Sequence, residues 1–396
     1  MIHLFLFDVD GVLVETRGYL KALQDTVAHF SRQMGVGDHP PTEEEVQGFE
    51  ANGLTSEWDS GPACVATLLL ERLRQGPSLP LPAHWPDALT ALAASPYPLL
   101  RPNYGLLARR VDERLREWTS PAQAARAVLW NEAQTIRGPG HSSVVVAALL
   151  ETLLGRTHDF YRAPVTRHFQ HLAIGSRAVF ETYGVAPDFG SAAYLQCFDR
   201  PLLRPEVQAR LKEVIAEGPI RAALYTTRPS RPPVNVDEPL TGYSPEAEMA
   251  RSLVGLEPWP IIGRGKLRWL ARQVGEDVER LVKPSPVQAL AAIGAAWSGQ
   301  EVSALEAALA LHREGRLRPP LAGLGSTTVH VFEDCNGGLE AVARAVAVLQ
   351  AEGLSVTWRP YGIAPAHSSK AAALSARGVA VYPSVNEAVL AVLSQF

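Results

Sequence analysis

The stretch Leu4-Phe5-Leu6-Phe7-Asp8-Val9-Asp10-Gly11-Val12-Leu13-Val14-Glu15 decides the fold. An apolar run from Ile2 to Phe7, interrupted only by His3, stops at two carboxylates two positions apart. A continuous run of this kind, bounded by a Gly turn, predicts a central strand buried on both faces. Side chains alternate along a strand, so Asp8 and Asp10 leave it on the same side. Two carboxylates this close repel unless one holds a proton or a cation sits between them. By itself the stretch reads equally as a strand running into an Asx-type turn at Asp10-Gly11.

Outward from that strand, 396 residues exceed a comfortable single core and predict two domains. Hydrophobic residues make up 46% and charged residues 20%, the balance of an ordinary globular chain. With 37 basic and 41 acidic residues and no dense Lys/Arg block, neither nucleic acid nor an anionic membrane is expected as a partner. Cys64, Cys197 and Cys335 are few and scattered, which argues against a disulfide framework or a zinc cluster. The first residues lack a basic leader and no apolar stretch is long enough to span a bilayer, so the expected location is the cytoplasm.

After Glu15 the periodicity turns helical. Tyr19-Leu20, Leu23, Val27 and Phe30 recur at helical spacing in one amphipathic helix that ends near Met34-Gly35, and Thr42-Glu43-Glu44-Glu45 opens a second with a capping box. Asn52-Gly53 breaks the chain before a helix over Ala63 to Leu73. Gly76 to Tyr104 is Pro-rich and irregular, with room for a short helix at Ala88 to Ala94. Helices are predicted over Leu106 to Trp118, Pro121 to Ala133 and Ser143 to Leu154. His158, His168 and His171 lie among arginines. No Asp, Glu or Cys stands beside them at ligand spacing, so a polar helix face is favoured over a metal site.

From Arg200 the character changes. Strands at Ile220 to Tyr225, Trp259 to Gly263, Thr328 to Phe332, Ser355 to Trp358 and Val379 to Tyr382 alternate with helices. That alternation predicts a parallel sheet whose ligands bind at the carboxyl ends of its strands. The polar residues at those ends are Asp8/Asp10, Thr226/Thr227 and Glu333/Asp334. The expected architecture is α/β: a Rossmann-like parallel-sheet core (1–16 and 200–396), with a large helical cap (17–199) inserted between its first and second strands.

A carboxylate pair, a Thr, the isolated Lys283 before a helix and a late acidic pair supply what phosphoryl transfer requires. Displacement at phosphorus needs a nucleophile, neutralised equatorial oxygens and a metal to hold the partners. Asp8 can attack to form an aspartyl-phosphate, and Asp10 can protonate the leaving alkoxide and then deprotonate water. Thr226 can donate a hydrogen bond to a phosphoryl oxygen, and Lys283 supplies positive charge. Asp8 and Asp334 are hard oxygen ligands suited to Mg²⁺.

Asp8-Val9-Asp10-Gly11-Val12-Leu13, Thr226, Lys283-Pro284-Ser285-Pro286 and Phe332-Glu333-Asp334 resemble the four motifs of the haloacid dehalogenase superfamily. The insertion resembles the helical cap of its subfamily one, which includes phosphoglycolate phosphatase and β-phosphoglucomutase. The resemblance implies Mg²⁺ held by Asp8, the main-chain carbonyl of Asp10, and Asp334. It also implies a turn after Asp10 that moves as the cap opens and closes. Dehalogenases of this superfamily lack the second Asp of the first motif, so Asp10 points to phosphate esters. Neighbours on a strand face opposite ways, so one of Glu333 and Asp334 is expected to bind the metal and the other to support it, with Asp334 in the direct position.

The cap is far longer than in the compact relatives, so the substrate is not transferable from them. Asn52-Gly53, Trp58 and Asp59 fall where such caps place a specificity loop, with plain cap core as the other reading of Trp58. Arg228 is a candidate contact for phosphate or substrate. Thr227 either adds a hydroxyl there or caps a helix. The expected activity is hydrolysis of a small phosphorylated metabolite. Phosphomutase action, and non-catalytic binding of a phospholigand or partner, are the alternatives. The oligomeric state is not legible.

Overall fold

The computed structural model describes residues 2–115, 121–136 and 142–395. Its strands are β1 (Ile2–Phe7), β2 (Val14–Glu15), β3 (Arg200–Pro201), β4 (Ile220–Tyr225), β5 (Ile261–Ile262), β6 (Thr327–Glu333), β7 (Val356–Ile363) and β8 (Ala380–Tyr382). Six form one parallel sheet in the order β5-β4-β1-β6-β7-β8, so the fold is α/β and Rossmann-like. β1 lies between β4 and β6, where Phe5 pairs with Ala222 on one side and His330 on the other. Leu4 through Phe7 are fully buried, which is why this segment needs no alternation of polar residues.

The strand is shorter than the quoted stretch. Val9 accepts from the amides of Leu13 and Val14, closing a turn after Asp8. β2 then pairs antiparallel with β3, Val14 opposite Pro201 and Glu15 opposite Arg200. This two-stranded ribbon, too short to carry a periodic signal, was not expected from the sequence.

By its contacts the chain divides into two compact units. One comprises Met1–Thr16, Phe180–Ala186 and Phe198–Phe396; the other comprises Arg17–Val179 and Pro187–Cys197. The second is built of helices: α1 (Arg17–Gln33), α2 (Glu43–Ala51), α3 (Glu57–Gln75), α4 (Trp85–Ala94), α5 (Tyr104–Leu115), α6 (Pro121–Ala133), α7 (Ser143–Leu154), α8 (Pro164–Tyr183) and α9 (Tyr194–Cys197). The final residues of α8, from Phe180, belong to the first unit, and its helical path is broken at Gly175 (φ +79°). The capping box at Thr42 is formed in both directions: the Glu45 amide donates to Thr42 Oγ1, and the Thr42 amide to Glu45 Oε2. α3 starts at Glu57 rather than Ala63, because Ser56 accepts from the Trp58 amide and caps it there. The expected continuation of α5 through Trp118 falls on residues 116–118, outside the described residues.

The histidines of this unit are occupied separately. His158 Nε2 meets Asp59 Oδ1, His168 Nδ1 meets Thr26 Oγ1 and stacks on His29, and His171 accepts from the Asp188 amide. Burial pushes His168 down to about 3, with His29 next in effect, which keeps it neutral.

The helices of the first unit are α10 (Pro205–Glu217), α11 (Glu246–Leu253), α12 (Arg264–Val274), α13 (Pro286–Ser298), α14 (Glu301–Glu314), α15 (Asn336–Ala351), α16 (Ser369–Ser375) and α17 (Val385–Leu393). Alternation along β1 sorts them. Leu4 and Leu6 pack with α12 to α15, whereas Phe5 and Phe7 pack with α10, α11 and α17. Among the described residues no helix is long and apolar enough to cross a membrane.

Candidate functional site

β1, β4 and β6 run parallel, so the residues just beyond them share one edge of the sheet. Asp8 follows β1, Thr226 follows β4, and β6 ends on Glu333 with Asp334 next. Lys283 comes from the turn before α13 and completes the group. Its Nζ lies 2.9 Å from Asp8 Oδ1, also donates to Glu333 Oε1, and sits 4.1 Å over the Tyr225 ring. Glu333 is fully buried and Asp8 nearly so. The other Glu333 oxygen accepts from the amides of Asp334 and Cys335. Glu333 is thereby committed to Lys283 and to its own turn, while Asp334 Oδ2 pairs with Lys370.

Two glycines permit this approach. A Cβ on Gly338 would overlap the Glu333 carboxylate, so the start of α15 can lie against it only without a side chain. A Cβ on Gly11 (φ +71°) would run into Asp334 Oδ2, which brings that oxygen against the turn after Asp10. The sequence placed Gly337-Gly338 ahead of a helix at Leu339; α15 instead begins at Asn336 and holds both in its first turn.

The charges do not balance. Burial, then Glu333, raises the Asp8 carboxyl well above its ordinary range, and Asp334 and Asp10 add to the rise against the pull of Lys283. Burial lowers the Lys283 ammonium, but Asp8 and Glu333 more than reverse this and hold it protonated. Asp334 is likewise raised, by burial first. Burial beside Glu333 takes the Cys335 thiol up to about 12, so it is no thiolate at neutral pH. A surplus of carboxylate oxygen around Asp8 suits a hard divalent cation, which would relieve it. Glu333, Asp334 and Cys335 also form the one group of ligand atoms within 4.8 Å of one another found among the described residues.

Asp10 is partly exposed, and its Oδ1 accepts from Arg228 Nε at 2.6 Å. Arg228 is buried and reaches Asp199 Oδ2 at 3.1 Å with its other arm. Arg228 therefore bridges Asp10 and Asp199. Thr226 is buried, and its hydroxyl accepts from the Arg228 amide. Thr227 is exposed, and no helix follows it until α11, so the helix-capping alternative is corrected: the chain bends there into a Pro-rich loop.

Trp58 and Asp59 belong to the second unit. Trp58 Nε1 donates to Gln170, and Asp59 is buried, accepting from Thr157 Oγ1 at 2.8 Å and meeting His158.

Sequence reasoning missed Gln288. Its Oε1 accepts from the Lys283 amide at 3.0 Å, and its Nε2 donates to the carbonyls of Thr226 and Ile262 at 2.7 and 3.0 Å. One amide thus holds the Lys283 turn to the ends of two strands. A polar residue in the first turn of the otherwise apolar helix Pro286–Ser298, whose only other polar residue is its last, was the available signal. Asp199 and Lys370, which pairs with Asp334, were missed as well, since nothing local marks them.

No protein-family model matches this chain, and no curated protein matches it. Among solved structures, an X-ray structure from the Northeast Structural Genomics Consortium (target ZR25) is similar over 100% of this chain and 98% of its own, at 15% identity and a TM-score of 0.65. That likeness is one of fold. Phosphatase Tt82 from Thermococcus thioreducens matches over 90% of this chain and 91% of its own, at 13% identity and a TM-score of 0.38, too loosely to carry an argument.

Proposed function

We propose that this protein is a Mg²⁺-dependent phosphatase of the haloacid dehalogenase type, subfamily one, acting on a small phosphorylated metabolite. The observation that carries the reading is Lys283 Nζ at 2.9 Å from Asp8 Oδ1, on the edge shared with Thr226, Asp10 and Asp334. Asp8 attacks phosphorus; its P–O bond forms as the ester P–O bond breaks, and the leaving oxygen takes a proton from Asp10. Water then attacks the aspartyl-phosphate and gives a proton to Asp10, releasing phosphate and restoring Asp8. Arg228 holds Asp10 by its Oδ1, and the other carboxyl oxygen carries the proton in both transfers. Lys283 orients Asp8 and offsets charge, and Thr226 Oγ1 donates to a phosphoryl oxygen. Asp8, Asp334 and the carbonyl of Asp10 would hold Mg²⁺, which supplies charge neutralisation on the phosphoryl group.

Hydrolysis of p-nitrophenyl phosphate with and without Mg²⁺, beside Asp8→Asn, tests this. Turnover that needs Mg²⁺ and disappears in the variant is expected; equal turnover in the variant refutes the nucleophile. Ranking phosphorylated metabolites by kcat/KM then identifies the substrate.

A further inference from the structure

We infer that Lys370 is a built-in counter-ion that competes with the divalent cation for Asp334, so that cation binding loosens α16. The inference rests on the cation site proposed above and concerns its regulation.

Lys370 Nζ lies 2.5 Å from Asp334 Oδ2. That oxygen is the one a Gly11 Cβ would strike, so it faces the turn after Asp10, where a cation shared with Asp8 and the Asp10 carbonyl belongs. An ammonium and a divalent cation on one oxygen repel at contact distance, so each weakens the hold of the other. Lys370 can leave readily: its side chain is 50% exposed against 13% for Asp334. The packing that holds α16 is light. The helix has seven residues, of which Leu374 alone is buried, with Ala371 partly packed. Its end is tied by a longer pair between Arg377 and Glu340, at 3.9 Å. Breaking the Lys370 bond therefore removes one of the ties that dock α16, and by linkage a docked α16 weakens cation binding by the same factor.

The test is Mn²⁺ binding without substrate, read as loss of the free-ion EPR signal, in the full chain and in Lys370→Met, Lys370→Arg and Arg377→Met. Lys370→Met is expected to bind about fivefold tighter, the loss of one partly exposed ion pair from the cation-free state. Lys370→Arg and Arg377→Met are expected to stay near wild type. Hydrogen exchange in residues 369–375 should quicken with Mn²⁺ in wild type and be unresponsive in Lys370→Met. Unchanged or weaker binding by Lys370→Met overturns the inference, as does an equal gain in Arg377→Met, which would mark a general charge effect. If wild type binds and Asp334→Asn abolishes it while Lys370→Met changes nothing, this inference alone falls. If neither wild type nor Lys370→Met binds Mn²⁺, the cation site falls with it.

Discussion

Lys283→Met removes the cation that Asp8 and Glu333 share, and the cost follows from their burial. Both carboxylates are shielded from water, and the methionine neither donates nor carries charge. Removing one partner of a buried ion pair costs about 3–5 kcal/mol, because the charge left behind has lost both water and its counter-ion. Domains of 150–250 residues lose about 2–4 °C of melting temperature per kcal/mol, so the transition of the sheet unit should fall by roughly 6–20 °C at pH 7.5. The sign with pH is fixed. Without Lys283 the Asp8 carboxyl, already raised by burial, rises further above its unfolded value, so the loss is full above that raised value and shrinks as acid protonates it. Circular dichroism melts over a pH series check this. The double variant Lys283→Met/Glu333→Gln removes one of the stranded charges and should recover at least half the loss, while remaining inactive. A loss under about 1 kcal/mol in the single variant, or no recovery in the double variant, would refute the claim that this cluster is held by charge balance.

Gly338→Ala forces a methyl into the Glu333 carboxylate and should cost about 1–3 kcal/mol by urea denaturation; a neutral result would mean α15 shifts freely. Arg228→Met strands the buried Asp199 and should cost about 3 kcal/mol, with substantial recovery in Arg228→Met/Asp199→Asn. His330, buried between His3 and Tyr361, is pushed by burial down to about 3. Its contribution is therefore full above about pH 6.5 and is lost as pH falls toward 3, because the unfolded chain takes the proton first. Stability should slope by up to about 1.4 kcal/mol per pH unit in that window, and His330→Phe should flatten the profile.

What was legible had a local cause. β1 announced itself because burial on both faces demands an unbroken apolar run, and the Thr42 cap because its two bonds lie within four residues. Asp8, Thr226, Lys283 and Glu333-Asp334 were legible as polar residues where strands or turns end. β7 was expected to stop at Trp358 and runs to Ile363, because Arg359 and Pro360 break the apolar pattern on a strand whose middle is less buried. Gln288, Asp199 and Lys370 act across 62, 29 and 36 positions of chain respectively. Their meaning depends on the sheet having formed, and no window of sequence contains it.

The small ribbon of β2 and β3 has a consequence for the chain's history. Because Glu15 sits opposite Arg200, the ribbon brings together the two ends of the long segment between them. Closing a loop costs only about 0.6 kcal/mol more for each doubling of its length, and here the ribbon bears that closure. The closure cost therefore depends only weakly on how much polypeptide lies between Glu15 and Arg200. Growth or trimming within Arg17–Val179 adds little closure cost to the register of β1.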